Sequence, residues 1–449
     1  MDNLVCPIDF RYGRKEIKQI FGEKSKLQYL LDVEAALAQA HAEVGNIPKK
    51  DATEITNKAN TTYVTVERVT EIEKEIRHDI MAVTKALAEQ CDGDAGKYVH
   101  LGATSYDIVD TANALQFSHA TQLITQQLKE LRATLISLAK KHKNTLMSGR
   151  THGQFSIPIT FGLKMAVYAL EVDRHLERLH ECKSRVLVGK MSGAVGTGAA
   201  LGKQCLEIQQ IVMKQLRLGV EEGATQIVGR DRYIELISVL ANIATSMEKF
   251  ATEIRNLQRS EIMEAAEAFE SKKQVGSSTM PHKRNPILSE QISGISRVIR
   301  CYITPAFENA IQWHERDLAN SSSERFILPH ALILTDWVIY LTNDVFKNLK
   351  VFPENMQRNL DHSLGLPMAE SIMIKLVDKG MGRGEAHELV RTYSQKAIAE
   401  KMELQSIIEE NKTIATYLTK TEINDALNPK NYLGSSSEII DNIVKKLSR

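Results

Sequence analysis

The sequence predicts an all-α fold built around a bundle of long helices, and three observations carry that prediction. Leu236, Leu240, Ile243, Met247, Phe250, Ile254 and Leu257 follow one another at alternating steps of four and three. Ile124, Leu128, Leu131, Leu135 and Leu138 repeat the pattern. Alternating, strand-like runs are few. A stripe of that period is the seam of a helix packed at a shallow angle against other helices. Neither stripe contains a Gly or Pro to interrupt it, and the longer one spans roughly 30 Å at 1.5 Å per residue.

Taken in order, residues 1–110 read as an N-terminal domain of shorter helices, broken at Gly45-Asn46-Ile47-Pro48 and at Asp92-Gly93-Asp94-Ala95-Gly96. Residues 111–360 read as the central bundle domain. It holds the two stripes, a helix that follows Pro158 and continues past Leu179, and the run Leu288, Ile292, Ile295, Ile299 and Tyr302 after a proline-containing loop at 276–286. Breaks at Leu366-Pro367 and Gly380-Met381-Gly382-Arg383-Gly384 mark a smaller helical domain over 361–449. The stripes are wide enough for helices of other copies to join the bundle, and periodicity does not choose between that and a single-chain bundle. No internal repeat or low-complexity segment stands out.

Composition narrows the function. Of 449 residues, 43% are hydrophobic and 25% charged, and 57 cations against 56 anions leave a net charge of +1. A nucleic-acid or membrane-surface protein would show a basic excess, whereas a local cationic pocket for a small anion is compatible with neutrality. Cys6, Cys91, Cys182, Cys205 and Cys301 are odd in number and scattered, as expected of thiols in a reducing compartment. The start, MDNLVCPIDFRYGRKE, carries charges where a signal peptide needs an apolar core. No uninterrupted apolar stretch reaches the length of a membrane span. A cytoplasmic location is expected.

The most unusual stretch is Gly276-Ser277-Ser278-Thr279-Met280-Pro281-His282-Lys283-Arg284-Asn285-Pro286. Such a loop can bend over a ligand, turn backbone N–H groups toward an anion and place Lys283 beside developing negative charge. Most Gly/Ser/Pro loops only connect elements, so the reading depends on the rest of the chain. Gly193-Ala194-Val195-Gly196-Thr197-Gly198 suggests a nucleotide loop, but Gly202-Lys203-Gln204 lacks the Ser/Thr of a P-loop and no βαβ unit surrounds it. It reads as a turn between long helices, near the active site. The thirteen histidines show no HExxH and no Cys/His ligand spacing, so no metal is expected.

The eleven-residue loop resembles the signature of the fumarase/aspartase superfamily. Within it, Arg77-His78-Asp79-Ile80-Met81, the run Val99–Asp107, Ser148-Gly149-Arg150-Thr151-His152-Gly153-Gln154, Gln226–Arg232, Trp313–Asp317 and Ser321–Arg325 resemble the adenylosuccinate lyase family. The similarity runs in order from Arg11-Tyr12 to about residue 330. It implies a three-domain all-α lyase that uses no metal and no organic cofactor. A homotetramer with active sites lined by three subunits is also implied. The substrates would be phosphorylated dicarboxylates of purine biosynthesis: adenylosuccinate, giving AMP and fumarate, and the succinylocarboxamide ribotide, giving the carboxamide ribotide and fumarate. A carboxymuconate cycloisomerase-like lyase shares much of the loop, but Arg77-His78-Asp79 and Arg11-Tyr12 favour the purine enzyme. A non-catalytic scaffold that oligomerises through the stripes is the reading from another class; it leaves the Ser277 loop and His152 without a purpose.

The same resemblance assigns roles. Ser277 is the general base, which needs loop N–H groups and Lys283 to favour its alkoxide. His152 is the acid that protonates the leaving nitrogen, suited to this because histidine titrates near neutral pH. Glu290, seven residues beyond Lys283, orients His152. His78 is a second active-site histidine, placed at the phosphate; the reverse assignment of the two histidines stays open. Arg11, Tyr12, Arg77, Asp79, Thr104, Ser105, Gln226, Ser278, Asn285, Arg316, Ser321 and Arg325 match binding positions, with Lys283 and His78. Thr104 and Ser105 could equally cap the helix that follows.

Overall fold

The structure is a computed structural model of the chain and describes residues 4–269, 279–280 and 282–448. Long helices dominate it: Ser105–Lys141, Phe161–Val186, Asp231–Leu257, Ile287–Cys301 and Ala319–Lys347. The predicted stripes are their buried seams. Leu236, Leu240, Ile243, Met247, Phe250 and Ile254 are fully buried, as are Ile124, Leu128, Leu131 and Leu135. The second seam departs from expectation at its end, where Ala139 is fully buried and Leu138 is half-exposed. A step of four from Leu135 lands on Ala139, so an ordinary 3.6-residue period drifts off a strict alternation.

Contacts divide the chain into two compact units, each built from discontinuous segments. The first comprises Met1–Lys129, Arg174–Glu248 and Ile292–Tyr340; the second comprises Glu130–Asp173, Lys249–Gln291 and Leu341–Arg449. This partition differs from the three contiguous segments 1–110, 111–360 and 361–449, because single helices supply both units. The Ser105–Lys141 helix, for example, gives residues 105–129 to the first and 130–141 to the second.

In the first unit the helices Glu23–Glu43, Lys49–Lys58, Val66–Ile76 and Asp79–Ala88 share a core that includes Leu31, Leu37, Ile55 and Leu87. In the second, Tyr168 stacks on Phe250 at 4.2 Å and Phe346 meets both rings edge-on. The C-terminal helices Ala369–Asp378, Arg383–Glu400 and Lys420–Leu427 close on Ile372, Leu376, Val390, Ile407 and Ile423.

Two features were not expected from the sequence. Leu146–Thr151 and Gln154–Thr160 form an antiparallel hairpin, so Pro158 lies in a strand and the next helix starts at Phe161. Ala319–Lys347 is, by length and composition, apolar enough to cross a membrane, with 67% of its apolar window buried inside the protein. His330 and Asp336 interrupt that run. Its burial is that of a core helix.

Candidate active site

In the first unit a cavity of about 710 Å³ is lined by Arg77, His78, Asp79, Ser105, Arg316, Ser321 and Arg325. Three separate stretches of sequence supply these residues. Arg77 ends the helix Val66–Ile76 in the left-handed conformation (φ 55°), uncommon for a residue with a Cβ. That turn makes His78 the N-cap of Asp79–Ala88, where its Nδ1 accepts the N–H of Met81 at 3.3 Å. With Nδ1 accepting, the neutral ring carries its proton on Nε2. Asp79 accepts the N–H of Ile80 on Oδ1 and Arg325 Nη2 at 2.7 Å on Oδ2.

Ser105 opens the Ser105–Lys141 helix, and the N–H of Thr104 donates to Asp107 Oδ2 at 2.8 Å. Asp107 also takes the N–H groups of Ser192 and Gly193, and Lys190 Nζ at 2.5 Å. Lys190 and Asp107 are fully buried. The glycine-containing turn at 193–198 is thereby tied to the start of the helix that carries Ser105. Positive φ at Gly193, Gly196 and Gly198 permits it.

Arg316 lies on the ring of Tyr106, 3.5 Å from its centroid, and donates from Nη1 to Gln226 Oε1 at 2.8 Å. Gln226 Nε2 donates to the carbonyl of Ala194. Arg316 Nε and Nη2 are buried and have no hydrogen-bond partner among the described residues. Two orphaned donors on a guanidinium are costly unless an anion arrives. Tyr106 donates its hydroxyl to Ser321 Oγ at 3.1 Å, and burial raises its phenol above the ordinary range. Beneath it, buried Arg230 bridges Asp110 and Glu324 at 2.8 Å each. Burial lifts the Glu324 carboxyl, against the pull of Arg230.

Arg11, Tyr12, Thr104 and Gln226 are not among the residues lining this cavity. Arg11 and Tyr12 follow the short helix Pro7–Phe10, and Arg14 anchors their segment through a bidentate pair with buried Asp336 at 2.6 and 2.7 Å.

The second unit holds the remaining nominated residues. His152 and Gly153 are the two-residue turn of the hairpin, with φ of 53° and 75°, between the paired residues Thr151 and Gln154. Positive φ at both positions is the mark of a primed turn. A register shift between Ser148 and Arg150 marks a bulge in the second strand, where Ser156 and Ile157 lie opposite Gly149 alone; a Cβ on Gly149 would come within 2.6 Å of the Ile157 carbonyl oxygen. Arg150 pairs with fully buried Glu264 at 2.7 and 2.9 Å, and Asn359 donates to the same carboxylate. The hairpin base is thus pinned while His152 stands exposed at its tip.

Of the signature loop, Lys283 is exposed and Asn285 half-buried; Ser277 and Ser278 lie outside the described residues. The end of the loop is held by Gln258, whose Nε2 donates to the Arg284 carbonyl, and by Glu267, which accepts the N–H groups of Leu288 and Ser289 at the next helix's N-terminus. Burial raises the Glu267 carboxyl. Glu290 is exposed in the first turn of Ile287–Cys301. No hydrogen bond or ion pair joins it to His152 among the described residues. Tyr106, Arg230 and Glu324 fall inside the family-like runs without a role of their own there, whereas Glu264 and Glu267 fall outside every run; proximity in the fold gives all five their roles.

The comparisons with known proteins first give a class. Residues 10–301 match the family described as lyase. The crystal structure of a fumarate lyase from Mesorhizobium sp. BNC1 superposes with a TM-score of 0.89 at 33% identity, covering 96% of this chain and 98% of that one. A 3-carboxy-cis,cis-muconate lactonizing enzyme from Pseudomonas putida gives 0.89 at 31%, covering 98% and 99%. Residues 365–443 match the adenylosuccinate lyase C-terminus. The adenylosuccinate lyase of Pyrococcus abyssi is 52% identical over 98% of this chain and 97% of its own length. That of Methanothermobacter thermautotrophicus is 50% identical over 98% of each. The chain belongs to the adenylosuccinate lyase family.

Proposed function

We propose that the chain cleaves adenylosuccinate to AMP and fumarate, and the succinylocarboxamide ribotide of purine biosynthesis to the carboxamide ribotide and fumarate. The observation that carries this reading is the convergence of Arg77-His78-Asp79, Ser105 and Arg316–Arg325 on one cavity, with the buried donor edge of Arg316 left for an anion. Both substrates carry a phosphate and two carboxylates, which arginine forks and hydroxyls recognise. Identity of 52% to an adenylosuccinate lyase against 31% to the muconate enzyme favours this substrate over a muconate.

The chemistry is a β-elimination. Ser277 takes the proton from the carbon beside a carboxylate, and the electron pair left behind becomes the C=C bond of fumarate as the C–N bond breaks. The nitrogen leaves with a proton from His152. The dianionic aci-carboxylate formed on the way requires cations, and Lys283 and the loop N–H groups are suited to it. Glu290 orients His152, while His78 serves the phosphate. No step needs a metal or an organic cofactor. The active form is a homotetramer in the cytoplasm whose sites draw on three subunits, which supplies exposed His152 and exposed Glu290 with partners from other chains.

Incubating the purified chain with adenylosuccinate and following the ultraviolet spectrum tests the reading. Loss of the adenylosuccinate band with equimolar fumarate is expected. A muconate substrate turned over instead, or no reaction with either, removes it.

A further inference from the structure

We propose that Tyr106 is a positioning residue that sets the substrate's anion-binding edge, acting through Arg316 and Ser321. The proposal rests on the reading of the cavity as the adenylosuccinate site and adds a residue to it.

A guanidinium on a flexible stem has many orientations, and only one aligns Nε–H and Nη2–H for a bidentate bond to a carboxylate or phosphate. In this cavity two contacts remove the choice. The Arg316 guanidinium carbon lies 3.5 Å from the Tyr106 ring centroid, close enough for cation–π attraction to hold the group against that face. Nη1 is then tethered in-plane by Gln226 Oε1 at 2.8 Å. What remains is the edge formed by Nε and Nη2, both buried and both without a partner among the described residues. Those two nitrogens form the side-on fork of an arginine, so ring and amide together leave one bidentate docking edge.

Tyr106 acts on a second group as well. Its hydroxyl donates to Ser321 Oγ at 3.1 Å. This occupies an acceptor position of Ser321 and leaves the serine's own proton to be donated elsewhere, Ser321 being one of the cavity's lining residues. The tyrosine is itself fixed from behind. Buried Arg230 lies 5.9 Å from its ring and is held by Asp110 and Glu324. Tyr106 therefore has two guanidiniums near its ring, Arg316 at 3.5 Å and Arg230 at 5.9 Å, the second locked by carboxylates. Because the ring and hydroxyl act on ground-state contacts, their loss should appear in KM before kcat.

The test compares kcat and KM for adenylosuccinate in the full-length protein, in Tyr106→Phe and in Tyr106→Leu. Tyr106→Leu is expected to raise KM by about tenfold or more with kcat within about threefold. Tyr106→Phe keeps the ring and should restore KM to within about threefold of the parent. A double change with Arg316→Lys should make Tyr106→Leu nearly silent, because the partner it positions is gone. Unchanged KM in Tyr106→Leu, a loss that falls on kcat alone, or full additivity with Arg316→Lys overturns the proposal. If Tyr106→Leu does not fold, Tyr106→Met is measured in its place; failure of both to fold assigns the ring to core packing and also overturns it. A parent protein inactive on adenylosuccinate defeats the assignment of function instead. Tyr106 is then judged by calorimetric titration of the same proteins with inorganic phosphate, where Tyr106→Leu must bind more weakly than the parent, and a parent that binds none defeats both.

Discussion

The cavity of the first unit and the hairpin tip of the second are built on opposite plans. The cavity is finished by its own chain: Asp79 is paired with Arg325, Arg316 is stacked and tethered, and an ion triad lies behind Tyr106. The tip is the reverse. Its base is locked by Arg150, Glu264 and Asn359, yet His152 itself is exposed. Exposure does not separate the two regions, since Arg77, His78 and Arg325 are exposed as His152, Lys283 and Glu290 are; what differs is that Asp79, Arg325 and Arg316 are paired within the chain. The difference is one of support: the cavity's groups are positioned by neighbours in their own unit, whereas the hairpin fixes its strand and leaves the histidine of its turn to solvent.

The largest expected effect attacks that comparison directly. Ser277→Ala and His152→Asn should each lower kcat by about a thousandfold or more while leaving substrate affinity within about tenfold. Asn is chosen because it tolerates the left-handed turn that His152 occupies. Unfolding and refolding the two inactive proteins together should restore activity, since mixed sites can draw both intact residues from complementary chains. No recovery, with subunit exchange shown by mass spectrometry, places both residues in one chain and dissolves the contrast.

Breaking the cavity's support should cost stability rather than chemistry. Arg230→Met leaves Asp110 and Glu324 buried without their cation and should destabilise the protein by about 3–5 kcal/mol, read from denaturant midpoints. A loss below about 1 kcal/mol would mean the triad is not the rigid backing described.

A smaller and pH-dependent effect belongs to His100, at φ 64° in the approach to Thr104 and Ser105. Burial works against its imidazolium, but the charge and hydrogen bond of buried Glu34, 2.6 Å away, outweigh it and hold His100 above the usual imidazole range. A raised folded value contributes stability that is complete below the ordinary value of about 6.5 and lost as pH rises through the folded one. Glu34→Gln should therefore cost about 1–3 kcal/mol at pH 6 and less at pH 9. Equal losses at the two pH values would remove the charge from the account. Gly153→Ala is the mildest change, about 1–2 kcal/mol from the left-handed turn, with activity falling only as far as the tip shifts.

The same contrast explains what was legible in the sequence. The long seams through Leu236–Leu257 and Ile124–Leu135 could be read because helical period repeats within one element. Arg77-His78-Asp79 and Ser321–Arg325 are recognisable as words, and residues of both line one cavity in the fold. Their support is not legible: Arg230 and Glu324 both lie in family-like runs, but they are 94 residues apart, and nothing local marks them as buried or as partners. The hairpin is hard to see because its turn is His-Gly rather than Asn-Gly, with a bulge at Ser156-Ile157, opposite Gly149, that spoils alternation. Tyr106 carries no mark of its own within the run Val99–Asp107, and its distance from Arg316 distinguishes it.

The hairpin also limits how its tip can change. An antiparallel pair joined by a two-residue primed turn lengthens or shortens only by one residue on each strand, moving the tip about 3.4 Å and flipping its side chains to the opposite face. Keeping the histidine on the same face takes two such pairs, a jump of about 6.8 Å. The reach of His152 is accordingly quantised. Substitution at the tip is confined to residues that tolerate the left-handed turn, and while the register is kept the distance over which a proton is delivered changes only in steps longer than a hydrogen bond.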